Sequence, residues 1–249
     1  MNSYFLFAGI VLFGLVSGTA VNYLADVLPV TRRLTRVVCV DCRQEIPWKD
    51  YILLKDCQNC GKPRSWRTWL VLLLTPMLYL LAWFFPNERL HFWMQVVILF
   101  YFSVVAIIDL EHRVILHPVS LVGIVLGSML GFLLHGFLPT LIGGVTGFLI
   151  MLFLYLTGQG FARLMGRIRH EEIEEIPLGF GDVNLSCVLG LILGWPGITA
   201  GLLLAILLGG GFSAVYILIS KISRQYRPFV AIPYAPFLLL GATILLFRP

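Results

Sequence analysis

Residues 175–195 read EIPLGFGDVNLSCVLGLILGW. An aspartate, Asp182, stands at the mouth of an apolar run, directly behind Gly179, Phe180 and Gly181. The run after it is uncharged through Trp195, which asks for a non-aqueous setting. The composition supplies one. The chain of 249 residues is 59% hydrophobic and 12% charged, whereas a soluble domain of this size needs a polar surface. Apolar runs near or above ~18 residues, the length that crosses a bilayer core as helix, recur along it. Ten-residue alternating strands, the mark of a membrane barrel, do not. The fold class expected is all-α, a polytopic membrane protein.

Eight helices are expected, at about 4–28, 69–86, 91–110, 114–134, 138–162, 183–194, 197–220 and 229–247. Trp195-Pro196-Gly197 reads as a tight turn. If the helices alternate in direction, sixteen of the eighteen Lys and Arg residues fall on one side. Only Arg89 and Arg248 fall on the other. The positive-inside rule then places loop 30–68 in the cytosol and the N-terminus outside. The net charge of +5 reflects this clustering and is not a nucleic-acid signal. Residues 4–25 have no basic region before them and are long enough to span, so they are not a cleavable signal. The division expected is a first transmembrane helix (1–29), a cytosolic loop (30–68) and a membrane core of about seven helices (69–249). Gly14 and Gly18, Gly127 and Gly131, Gly143 and Gly147, and Gly209 to Gly211 read as sites of close helix packing.

A second acid shares the setting of Asp182. Asp109 ends the third expected helix in VVAIIDLEHR (104–113). Two full crossings separate the two, so both acids lie at the same membrane boundary by parity alone. Ionisable groups at membrane depth face an interior or a wet cavity. Two facing carboxyls share a proton and titrate as a unit. Such a pair holds a water, one carboxylate taking its proton while the other donates to the carbonyl under attack. The competing reading is two unrelated acids, each solvated. Gly179 and Gly181 favour the pair, since glycine lets a substrate backbone approach and permits unusual dihedrals.

Loop 30–68 contains VVCVDCRQEIPWKDYILLKDCQNCGKPRSW (37–66). Cys39 and Cys42 form one C-x-x-C, and Cys57 and Cys60 another, with fourteen residues between. Cytosolic thiols are normally reduced, and paired knuckles place four thiolates tetrahedrally, as structural zinc requires. Redox or disulfide chemistry is the alternative. Four protein ligands leave no open position, so the metal would staple a loop too small to build its own core.

With these residues in hand the chain resembles the type IV prepilin peptidases, membrane aspartic proteases that remove leader peptides from pilin-like proteins. The resemblance rests on SGTAVNYLADVLP (17–29), the double C-x-x-C with EIPW (45–48) between, AIIDLEHR (106–113), GFGD (179–182) and IPYAPFLLLGA (232–242), in that order. It implies that Asp109 and Asp182 are the catalytic pair. It also implies cytosolic cleavage of prepilin or pseudopilin substrates, after a glycine that ends a basic leader, by a multi-pass protein of the bacterial cytoplasmic membrane. Many relatives then methylate the new N-terminus with S-adenosylmethionine. Four positions depart from the family pattern: Val27, Leu72, His117 and Ala235.

Further candidates are weaker. Phe180 lies between the two glycines of the signature, and Pro233 and Pro236 fit a rigid entry to the last helix beside the substrate. Glu171, Glu172, Glu174 and Glu175 are placed to attract a basic leader, though a solvated acidic loop explains them too. Asn22 suits a hydrogen bond between helices, Trp48 an anchor of the loop at the interface, and Cys187 plain packing. A metalloprotease H-E-x-x-H fails, because Glu174 stands where the second histidine belongs. No histidine follows Ser213 to serve it as base. A proton- or ion-coupled transporter remains the non-enzyme alternative. Expected partners are the substrate and membrane lipid, with no nucleic acid.

Overall fold

A computed structural model of the chain describes residues 2–39, 41–169, 179–223 and 233–248. Among these residues the regular structure is helical: α1 (Asn2–Thr31), α2 (Trp48–Ile52), α3 (Trp66–Phe84), α4 (Phe92–His112), α5 (His117–His135), α6 (Phe137–Arg169), α7 (Phe180–Leu193), α8 (Gly197–Ile222) and α9 (Ala235–Leu246). The short α2 lies inside the cysteine loop, and the other eight correspond to the eight expected segments. Six of them, α1, α3, α4, α5, α6 and α8, are long and apolar enough to cross a membrane. With 14 and 12 residues, α7 and α9 reach only ~21 and ~18 Å, short of the ~30 Å hydrocarbon core.

The helix ends that carry the two aspartates differ from expectation. α4 runs to His112, so Asp109 sits inside its last turn rather than at its end. The left-handed Arg113 (φ 53°) closes that turn, its N–H donating to the Asp109 carbonyl at 2.8 Å. α7 begins at Phe180, which puts Asp182 inside its first turn. The last helix is described from Ala235; its expected start near 229 and the acidic residues Glu171 to Glu175 lie outside the described residues.

The chain divides into two compact units, Met1–Ile108 and Asp109–Pro249. In the first, α1 and α3 meet backbone to backbone. A Cβ on Gly14 would lie 2.5 Å from the Pro76 Cα, and one on Gly18 would touch Leu72 and Thr75 at 3.4 Å. Buried Asn22 donates from Nδ2 to the Thr68 carbonyl at 3.2 Å, the interhelical hydrogen bond expected of it. The loop does have a small core, borrowed from α1: Val27 packs with Val37 and Tyr51, and Tyr23 and Ile46 cover them. Trp48 lies against Tyr23, ring centroids 4.7 Å apart.

The second unit is built around α7. Ten of its fourteen residues are buried, because glycines on its neighbours let it come close. A Cβ on Gly131 of α5 would lie 2.0 Å from the Leu191 carbonyl oxygen. On α6, one at Gly143 would lie 2.3 Å from the Gly190 oxygen and one at Gly147 2.3 Å from the Ser186 oxygen. The short helix is thus enclosed by protein rather than lipid, as polar backbone and an acid at membrane depth require. Gly209 of α8 packs at the start of α9 instead, lying against the Tyr234 ring. Gly210 and Gly211 do not: a Cβ on either meets nothing within 4 Å, so the packing role expected of them is not found. α7 ends in the turn at Trp195, whose N–H donates to Pro139 O at 2.9 Å.

Candidate active site

Asp182 is the third residue of α7, where the helix still has N–H groups to satisfy. Its Oδ2 accepts the Gly179 N–H at 3.1 Å, and its own N–H donates to the Gly179 carbonyl at 3.1 Å. This is the returning half of a capping box. The outgoing half needs a side-chain oxygen that glycine lacks. Gly179 is extended (φ −82°, ψ 149°), and neither it nor Gly181 has the positive φ that demands glycine. The expectation of unusual dihedrals is therefore corrected. What requires glycine at 181 is the chain itself, since a Cβ there would lie 2.7 Å from that of Ile115. At 179 a Cβ would make only an ordinary contact, 3.6 Å from Asp182 Oδ2.

Asp109 arrives on the last turn of α4. Both acids are buried, 5% exposed for Asp109 and 7% for Asp182, and their carboxyls are electrostatic neighbours. Parity placed them on one side; the tertiary packing brings them together. The Ala235 amide at the start of α9 lies beside the Asp109 carboxyl. Each acid thus meets a helix N-terminus, Asp182 that of α7 and Asp109 that of α9. The partial positive charge there favours a carboxylate. One oxygen remains unused: Asp109 Oδ2 is buried without a hydrogen-bond partner.

The two prolines of the expected site flank Tyr234 and Ala235, which reach the two acids. Pro233 and Tyr234 precede α9, and Pro236 occupies its first turn, where a missing N–H leaves no orphan donor. Tyr234 lies within electrostatic reach of Asp182. Phe180 is 45% exposed, its ring edge-on to Tyr155 of α6 at 5.8 Å. Sequence reasoning missed Tyr234, the Ala235 amide and Ile115. The position of Tyr234 between two prolines was the available signal for the first. Nothing in the local sequence points to the other two.

The four cysteines form a second cluster, in the first unit. All four sulfurs lie within 4.8 Å of one another, with Cys39–Cys60 and Cys42–Cys57 each at 3.6 Å. A tetrahedral ion with ~2.3 Å bonds to sulfur needs sulfurs about 3.8 Å apart. The two knuckles are built alike. Cys39 N–H donates to Gln44 O and Cys57 N–H to Lys62 O, while Arg43 N–H and Gly61 N–H return to the Cys39 and Cys57 carbonyls. The residue after each second cysteine is left-handed, Arg43 at φ 56° and Gly61 at φ 67°. Amides of Cys60 and Asn59 push the Cys57 thiol down to about 6, and those of Cys42 and Asp41 lower Cys39. Cys60 moves the other way, to about 12: the Lys62 amide lowers it, but burial and the neighbouring thiols outweigh that. Four thiolates therefore need a cation among them, and the cluster is able to hold a metal ion. Cys187 lies apart, on α7.

Residues 96–214 match the type IV leader peptidase family, a span that contains both aspartates and none of the four clustered cysteines. The chain is 28% identical over 238 residues to a prepilin leader peptidase/N-methyltransferase of Aeromonas hydrophila, covering 89% of this chain and 74% of that one. It is 29% identical over 214 residues to the protein of that name in Aeromonas salmonicida (strain A449), covering 82% and 66%. With that of Myxococcus xanthus (strain DK1622) the figures are 28% over 212 residues, 79% and 58%. No solved structure matches the chain significantly. Nothing among these comparisons supports the transporter alternative. Helical in the regular structure of its described residues, with six helices long and apolar enough to cross a membrane and an enclosed pair of acids, the chain matches the type IV leader peptidase family over residues 96–214 and resembles the prepilin leader peptidase/N-methyltransferases over most of its length.

Proposed function

We propose that this chain is a membrane aspartic endopeptidase that removes the leader peptide from prepilin or pseudopilin substrates, with Asp109 and Asp182 as the catalytic pair. The observation that carries this reading is two buried carboxyls meeting at the converging N-termini of α7 and α9. The pair holds one proton. The ionised carboxylate takes a proton from the attacking water as its oxygen bonds to the scissile carbonyl carbon. The protonated partner donates to the carbonyl oxygen, giving a neutral gem-diol. Collapse of the diol breaks the C–N bond, the leaving nitrogen is protonated by the pair, and one shared proton remains. The unused Asp109 Oδ2 is the acceptor suited to the water. Gly179, Phe180, Gly181, Pro233 and Pro236 form the wall against which the substrate chain lies. The N-terminus is outside, the acids and the cysteine loop are cytosolic, and Cys39, Cys42, Cys57 and Cys60 hold a structural zinc.

The test uses the full chain reconstituted in lipid with a prepilin-like substrate. Changing either aspartate to asparagine lowers cleavage by on the order of 10³-fold or more. Full-rate cleavage by either variant rejects the assignment. The relatives' second activity, N-methylation, uses S-adenosylmethionine as donor in this reading, and labelled donor in the same vesicles reports whether the new N-terminus is modified.

A further inference from the structure

We propose that a cavity in the first unit, lined by apolar side chains and three cations, binds the phosphate of an anionic phospholipid, with Arg64 as its principal ligand. The cavity has a volume of about 180 Å³ and lies between the end of α1 (Asp26, Val30), the cysteine loop and the start of α3 (Arg67, Thr68). That is where two membrane-crossing helices, Tyr4–Thr31 and Trp66–Phe84, end. Trp66 and Trp69 are 75% and 57% exposed at the same level, as aromatic side chains are at the headgroup boundary.

Arg64 is held for a task the protein itself does not supply. Its Nε donates to the Lys55 carbonyl at 3.2 Å, and its guanidinium lies over the Tyr51 ring, 4.5 Å from the centroid. Tyr51 is fixed in turn, its hydroxyl donating to Asp26 Oδ2 at 2.7 Å. The guanidinium plane is thus set from two sides, yet its Nη2 is buried with no hydrogen-bond partner. A buried charged donor left unmade is costly, and an oxyanion bridging a guanidinium edge is the natural complement.

The other cations of this wall are already engaged. Lys62 pairs with Asp41 at 2.6 Å, and Arg67 pairs with Asp26. Asp26 also faces the cavity, but the Arg67 guanidinium and the Tyr51 hydroxyl satisfy it. At this depth the abundant oxyanion is lipid phosphate, and basic pockets between membrane helices take such headgroups. The volume accommodates a phosphate with its glycerol and leaves the acyl chains outside. The competing role for Arg64 is to balance thiolate charge, since Cys39 and Cys57 share this wall.

The experiment uses the metal-loaded full chain in neutral detergent, titrated with dihexanoyl phosphatidylglycerol, dihexanoyl phosphatidylcholine or inorganic phosphate, and read by calorimetry. The phosphatidylglycerol is expected to bind saturably and more tightly than either other probe. Arg64→Gln should weaken it about tenfold or more. Arg64→Lys, which keeps the charge without the planar fork, should fall between, and retained metal verifies that each variant is folded. Equal phosphatidylglycerol affinity in Arg64→Gln overturns the proposal. So does inorganic phosphate binding as tightly as the lipid, which would mark a free-anion site. Loss of metal from Arg64→Gln but not from Arg64→Lys, with phosphatidylglycerol affinity unchanged in the protein that keeps its metal, assigns Arg64 to the thiolates and overturns it as well.

Discussion

Replacing Gly147 by alanine adds one methyl group to α6 at a place where the backbone of α7 already stands. Its Cβ would be 2.3 Å from the Ser186 carbonyl oxygen and 3.1 Å from Ile198 Cγ1, whereas ordinary contact begins at 3.4 Å. The obstacle is helix backbone, which cannot swing aside as the end of a side chain can. α6 and α7 must therefore part locally by about 1 Å. Overpacking of this kind costs ~1–3 kcal/mol, and a backbone obstacle places Gly147→Ala near the upper end. Ser186 is one turn from Asp182, so the displacement carries into the acid pair. A misplacement of about 1 Å lowers catalysis by roughly 10²-fold. Gly210→Ala is the control: its Cβ meets nothing within 4 Å, and alanine is the better helix former by ~1 kcal/mol. Thermal unfolding in detergent and leader cleavage in vesicles, measured on both variants, give the comparison. A Gly147→Ala protein as stable and as active as Gly210→Ala would refute the account of how α7 is held.

Asp182→Asn keeps a side-chain carbonyl to accept the Gly179 N–H, so its stability should stay within ~1 kcal/mol of the parent while cleavage collapses; a comparable loss of stability would make Asp182 mainly a cap. Gly181→Ala should disturb the segment around Ile115, whose Cβ is 2.7 Å from the added one, and lower both stability and turnover. Gly179→Ala should leave stability unchanged within ~0.5 kcal/mol and lower only cleavage, if the substrate backbone passes there; thermal unfolding and KM measured on both separate the two effects. Stripping the metal with a chelator should speed proteolysis within 32–65 and leave the membrane helices protected, as a proteolytic time course will show; unchanged cleavage of the loop would mean that the borrowed core around Tyr51 suffices without the metal.

Much of this was legible beforehand. Eight apolar helical segments follow from composition and hydrophobic runs, because lipid leaves the backbone few alternatives. Two C-x-x-C pairs specify a four-sulfur cluster through local turn geometry alone. Helix ends were less legible. α4 continues past Asp109 and α7 starts ahead of Asp182, because a terminal turn is settled by its caps and neighbours. The glycines divided for the same reason. Gly143, Gly147 and Gly131 are buried against carbonyls of α7, while Gly210 and Gly211 are bare, and both kinds read identically in a sequence.

The sequence by itself determined that this chain is built of apolar helices, that an acid stands at an end of each of two of them, and that four thiols share one loop. Those properties depend on period and short spacing, which are local or additive along the chain. Only the tertiary structure decided that the α9 amide of Ala235 meets Asp109, that Ile115 rather than a dihedral demands Gly181, and that Arg64 is fixed over Tyr51 with a donor to spare. These are contacts between residues distant in sequence or in different elements, selected by packing free energy, and no local pattern encodes them.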